Sequence, residues 1–120
     1  MNTEVLLFFS KAPQMLSLYE ALEQGIKECC PGVTVVVQKS QIAFDNGRRF
    51  AFASLRGKRL VVTFGLGHRL ESPRIAQAVE PYPGRWTHHV IVQDHEELDD
   101  ELYEWIRRAY DFAVGKGCGA

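Results

Sequence analysis

The chain is short of every feature that would place it in a special class. It has three cysteines, Cys29, Cys30 and Cys118, without CxxC spacing. Two of them are adjacent and poorly placed to bridge each other, so no disulfide framework is expected and the reducing cytosol is the natural home. Its apolar runs fall far below the length that crosses a bilayer, so no membrane partner is expected. Neither sign of charge dominates: 14 Lys and Arg face 15 Asp and Glu, a formal net charge of -1. Nothing then pulls the whole chain towards nucleic acid or an anionic membrane, and any anion site must be local. The start, Met1 to Phe9, has no basic region and carries Glu4, so it reads as mature protein and not as a signal peptide. Repeats, linkers and low-complexity tracts are absent.

Complete chemical motifs are missing too. Gly65-Leu66-Gly67-His68 has two glycines but no following Gly-Lys-Ser/Thr, so it makes a poor phosphate loop. Ser40, Ser54 and Ser72 lie in no nucleophile elbow. Cys29 sits at a helix end opposite the pole that lowers a thiol pKa. Adjacent residues on a strand point to opposite faces, so His88 and His89 are badly placed to grip one ion. His68, His95 and the cysteines are not at ligand spacing. No catalytic residue, metal ligand or cofactor is assigned.

What is present is an ordinary globular composition, 46% hydrophobic and 24% charged over 120 residues. Such a length buries roughly two-thirds of its unfolded surface in one core. One domain is expected over residues 1–114, followed by a flexible Gly-rich tail at 115–120.

The order of periodicities points to an α+β fold. Thr3 to Phe9 reads as a short helix broken by Pro13. Met15, Leu18, Tyr19, Leu22, Ile26 and Cys29 recur at helical spacing over 14–29, and Pro31-Gly32 ends that helix. Strand-like runs follow at 33–38, 41–44, 48–55, 59–66 and 86–93. Gly57-Lys58 is read as the turn before the fourth run, whose two apolar faces mark a central strand. Between the second and third runs, a three-residue Asp45-Asn46-Gly47 loop would pair Phe44 with Arg48 and Ile42 with Phe50. Ile42, Phe44, Phe50 and Phe52 would then share one face. Ser72-Pro73 predicts one or two helical turns to Val79, and 81–84 a loop. Asp94 with Glu97 forms a capping-box pattern for a last helix with the stripe Leu98, Leu102, Trp105, Ile106, Ala109 and Ala113. The expected architecture is a two-layer sandwich. A mainly antiparallel sheet of four or five strands carries the N-terminal and C-terminal helices on one face.

Four segments carry a resemblance: Leu18-Tyr19-Glu20-Ala21-Leu22, the hairpin around Gln41–Phe44 and Arg49–Phe52, Arg85-Trp86-Thr87-His88-His89, and Arg108-Ala109-Tyr110. They resemble a bacterial domain-of-unknown-function family whose members are sometimes labelled predicted transport proteins. That resemblance covers nearly the whole chain and implies a compact α+β domain without assigned catalytic residues. The layout is also similar to that of YdhG-like proteins, some of them called frataxin-like iron chaperones.

The densest polar and aromatic segment is Tyr82 to His89. Arg85 offers a fork donor and Trp86 a stacking face, although Trp86 also suits a strand-end core position. Strand alternation half-buries one of His88 and His89 and exposes the other. Basic residues cluster at Lys39, Arg48, Arg49, Arg56, Lys58 and Arg59, then at Arg69, Arg74 and Arg85. Converging on one rim they would hold an anion; dispersed, they protect sheet edges. The acids from Glu96 to Glu104 suit the start of a helix and, as a second reading, weak surface cation binding.

The expected function is that of a non-enzymatic cytosolic binding module for a small anionic ligand or a protein partner. Its candidate residues are Arg49, Arg69, Arg74, Arg85, Trp86 and His88. A nucleic-acid-associated accessory domain is the alternative, with Phe44, Phe50 and Phe52 as conceivable stacking platforms. An enzyme using His88 or His89 as general base, and a homodimer through an edge strand, are further readings.

Overall fold

The computed structural model describes residues 3–10, 12–57 and 59–113. The expected tail at 115–120, Cys118 and Lys58 lie outside the described residues. The chain begins with α1 (Thr3–Phe8), a 3-10 turn (Pro13–Met15) and α2 (Leu16–Cys29). Strands β1 (Thr34–Val37), β2 (Ile42–Asp45), β3 (Arg49–Arg56), β4 (Arg59–Leu66), β5 (Gln77–Tyr82) and β6 (Arg85–Val92) follow, then a 3-10 turn (His95–Glu97) and α3 (Asp100–Ala113). The strands form one antiparallel sheet in the order β1-β2-β3-β4-β6-β5. The fold is therefore α+β, with six strands where four or five were expected.

The additional strand is β5, in place of the expected helical turns from Pro73 to Val79. Ser72 does initiate a turn: its Oγ accepts from the Arg74 N–H at 3.2 Å, and its carbonyl accepts from the Ile75 N–H at 3.1 Å. The local signal ends there. The free edge of β6 offers the next residues a ladder, with Gln77 opposite His89 and Val79 opposite Thr87. Backbone pairing along that edge outweighs a two-turn helix with a costly nucleus.

The β2–β3 register also differs from expectation. Asp45 pairs with Arg49 across Asn46-Gly47-Arg48, Phe44 with Ala51 and Ile42 with Ala53. The ladder shifts between Phe44 and Asp45, which makes Phe50 an extra residue in a bulge. Phe50 and Ala51 both reach the core, Phe50 meeting Tyr110 edge-on at 5.3 Å. Phe52 stands outside the core, so the four residues do not share a face.

Helices α2 and α3 cover one face, as their stripes require. Leu18, Tyr19, Leu22 and Ile26 of α2 meet Leu102, Trp105, Ile106 and Ala109 of α3 over Ile42, Phe44, Leu60, Val62, Phe64, Val90 and Val92. The two helices approach closely at Gly25, where an added Cβ would lie 2.3 Å from the Tyr103 Cζ. The capping box forms, but on the 3-10 turn: Asp94 accepts from the Glu96 N–H and Glu97 accepts from the Asp94 N–H. For α3 itself Asp99 is the cap, its Oδ1 accepting from the Leu102 N–H at 3.1 Å. On the opposite sheet face Ala43 and Val61 are buried and Phe52, Thr63, His89 and Ile91 half-buried, all outside the main core cluster.

Candidate functional site

The registers put Arg49, Leu66 and Trp86 at one end of the sheet, with Arg85 beside Trp86. Leu66 opposes Trp86 directly. The β4–β5 connection leaves from this end and returns Arg69 over the indole, its guanidinium carbon 5.9 Å from the ring centroid. Arg69 is solvent-exposed and 4.0 Å from the still more exposed Glu71, a contact of little energy. Arg85 is exposed and Trp86 half-buried. A planar cation on an aromatic face, with a second guanidinium adjacent in the chain, can accept an anion from solvent.

The other three candidates do not join this corner, although Arg49 shares its end of the sheet on β3, with β4 between it and Trp86. Arg49 is exposed and 3.9 Å from Asp45 across the hairpin. Arg74 is fully engaged: its Nη1 donates to Asp99 Oδ1 at 2.8 Å and Glu101 Oε1 at 2.9 Å, and its Nη2 to the Glu97 carbonyl at 2.7 Å. It also lies over Trp105 at 5.6 Å. These contacts tie the β4–β5 connection to the start of α3 and hold the Asp99 carboxyl below its ordinary range. Arg74 is thus a clamp. Arg56, Arg59 and Lys39 lie at the opposite end of the sheet, so the basic residues do not converge on one rim.

His88 is fully buried and His89 half-buried, both deeper than the half-buried and exposed pair expected. The His88 ring stacks on Phe64 at 5.2 Å, and Nε2 accepts from the Leu70 N–H at 2.9 Å. Nε2 must therefore be unprotonated, which leaves the proton on Nδ1, a buried atom with no hydrogen-bond partner among the described residues. Burial pushes this imidazole below its ordinary pKa; the Phe64 backbone opposes it, and the nearby His68, His89 and Arg69 add smaller downward pushes. His88 pins the loop that carries Arg69, and a ring without exposure cannot take a proton from a substrate. His89, on the other face, lies 3.0 Å from Thr63 Oγ1 and is also shifted down, by burial and Arg56.

Three features escaped sequence reasoning. The Arg74 clamp joins residues 25 and 27 positions apart, which no local spacing announces. The His88–Leu70 bond needs the path of a loop. The Cys29 thiol is shifted down despite its place at a helix C-terminus, through its hydrogen-bond contact with the Cys30 thiol at 3.4 Å; burial opposes and Arg107 assists. The adjacency of the two cysteines was the available signal. Among the described residues no three His, Cys, Asp or Glu side chains converge to hold a metal ion, and no helix is long and apolar enough to cross a membrane.

Fold and site together define an α+β domain with an open antiparallel sheet and a basic, aromatic corner. Residues 7–113 match the family described as a domain of unknown function, DUF5655, and the chain belongs to that family. No curated protein and no solved structure matches it.

Proposed function

We propose that this protein is a non-enzymatic, cytosolic binding module that takes a small anionic ligand, or an anionic group of a protein partner, at the Arg69–Trp86–Arg85 corner. The observation that carries the reading is the Arg69 guanidinium held over Trp86 while exposed to solvent. The His88–Leu70 bond and the Arg74 clamp brace the loop from both sides, so part of the ordering cost is met before a ligand arrives. A carboxylate or phosphate would take hydrogen bonds from Arg69 and Arg85, and a planar group would lie against the indole. A transport or iron-chaperone role has weaker support, because Asp99 and Glu101 in the acidic start of α3 already neutralise Arg74.

The test is a thermal-shift and calorimetric screen of phosphates, nucleotides, carboxylates and short oligonucleotides, with Arg69→Ala, Arg85→Ala and Trp86→Ala in parallel. A ligand at about a hundred times its dissociation constant stabilises the fold by roughly 2.7 kcal/mol, a shift of several degrees here. The expected result is a shift with small anions that all three variants lose. Flat curves for every anion, or a shift the variants keep, refute the corner as the site. The nucleic-acid reading draws on half-buried Phe52 on the uncovered sheet face. It predicts instead an oligonucleotide affinity that falls steeply with salt and does not depend on Arg69.

A further inference from the structure

The two edges of the sheet are built differently. Edge strand β5 carries Glu80 and Pro81, and its pairing with β6 slips between Val79 and Tyr82. Charge, proline and irregularity are the usual means of blocking further strand addition. Edge strand β1 has none of them: Thr34-Val35-Val36-Val37 is uncharged, β-branched and in unbroken register with β2.

Its outward backbone groups can be identified. The Gln38 N–H donates to the Gln41 carbonyl at 2.8 Å, in line with the β1–β2 register. Bonding alternates along an antiparallel ladder, so Val36 and Thr34 also turn their backbone towards β2. Val37, Val35 and Val33 turn theirs to the free edge, and among the described residues no hydrogen bond to those groups is seen.

We propose that β1 pairs antiparallel with β1 of a second copy of this chain, about a two-fold axis through Val35. Pairing requires outward-facing residues to meet outward-facing residues, with side chains on the same sheet face. Both conditions hold when Val35 opposes Val35 and Val33 opposes Val37. Valines then stack on valines on the helix side, and Thr34 meets Val36 on the uncovered side. About six backbone hydrogen bonds form, two for each of these opposed pairs. The two six-stranded sheets become one, with the helices of both copies on the same face.

The surroundings of β1 suit a second copy. Val33 of the second copy arrives beside Val37, at an open groove of about 380 Å³ lined by Leu7 and Phe8. Leu7 is 68% exposed and Leu6 43%, the two most exposed large apolar side chains described. Exposed Lys39 comes level with Pro31 of the second copy, just past the C-terminal end of its α2, where the helix dipole favours a cation. An unrelated extended peptide would meet the same backbone without this matched set.

Light scattering and sedimentation of the full chain at low- and high-micromolar concentration test the proposal. The expected mass at high concentration is twice the 13.6 kDa of one chain. Val35→Pro deletes an outward N–H and leaves the β1–β2 ladder intact, so it should give a folded monomer. Should that variant fail to fold, Thr34→Lys/Val36→Lys and Thr34→Glu/Val36→Glu decide. Each double variant places like charges opposite each other and should be monomeric alone, and an equimolar mixture should restore the dimer. A wild type that stays monomeric at every concentration overturns the proposal, even if it captures an extended peptide. So does a folded Val35→Pro variant that still dimerises, or a mixture of the charged variants that stays monomeric.

Discussion

Replacing Gly25 by alanine sets two opposing effects against each other, and the structure decides the winner. Gly25 lies inside α2, where glycine costs about 1 kcal/mol relative to alanine through backbone entropy. Propensity alone therefore predicts a more stable protein. The new methyl carbon, however, would stand 2.3 Å from the Tyr103 Cζ, 2.4 Å from its Oη and 2.5 Å from its Cε1. Carbon atoms at rest are about 3.5–4.0 Å apart, so the phenol must retreat by more than about 1 Å. Tyr103 is half-buried, packs on the core and donates to the Ala21 carbonyl at 3.4 Å, so retreat loses packing on both helices. Overpacking of this kind costs roughly 1–3 kcal/mol. The net expectation for Gly25→Ala is destabilisation by about 1 kcal/mol, read as a lower urea midpoint at unchanged slope. In a Tyr103→Ala background the clash is gone and only propensity remains. The same substitution should there stabilise by roughly 0.5–1 kcal/mol, a coupling of about 2 kcal/mol between the two positions. A Gly25→Ala protein more stable than wild type, or one whose effect is the same in both backgrounds, refutes the argument that this glycine is a contact point between helices.

Two further predictions follow from the buried groups around the site. His88 and His89 titrate lower in the fold than in the unfolded chain. Above about pH 6.5 both states are neutral and full stability is present. As pH falls below that, the unfolded chain binds protons first, and stability declines by up to about 1.4 kcal/mol per pH unit for each histidine. Melting temperatures between neutral pH and pH 5 should therefore fall, and His89→Asn should flatten part of the decline; a flat profile in the wild type counts against the buried neutral rings. Arg74→Ala should cost about 1–2 kcal/mol in urea unfolding, because a charge-assisted network and not one exposed pair is lost. Arg74→Lys should recover less than half, since an ammonium cannot reach Asp99 and the Glu97 carbonyl as a fork. Equal stability of Arg74→Lys and wild type would show that simple charge suffices.

The amino-acid sequence by itself determined the parts of this protein that depend on neighbours in the chain. Apolar spacing located α2 and α3, and alternation located β4 and β6, because a periodic stripe has only one way to reach a core. The Glu104–Arg108 ion pair, one helical turn apart at 3.2 Å, rests on the same local spacing. Of the candidate site, Arg85 and Trp86 were grouped by their adjacency, but the placement of Arg69 over the indole was not visible.

Tertiary structure decided what depends on partners distant in the chain. The segment 77–82 became a strand because β6 had an edge to pair, although the local pattern read as helical turns to Val79 and a loop from 81. The bulge at Phe50 overrode the parity argument for the hairpin, since one extra residue lets two consecutive side chains reach the core. Arg74 was drawn from the candidate site into a clamp by acids 25 and 27 residues away, and His88 was buried to hold Leu70. Local pattern sets which face of an element is apolar, whereas the free energy of pairing edges and burying charges depends on which elements meet.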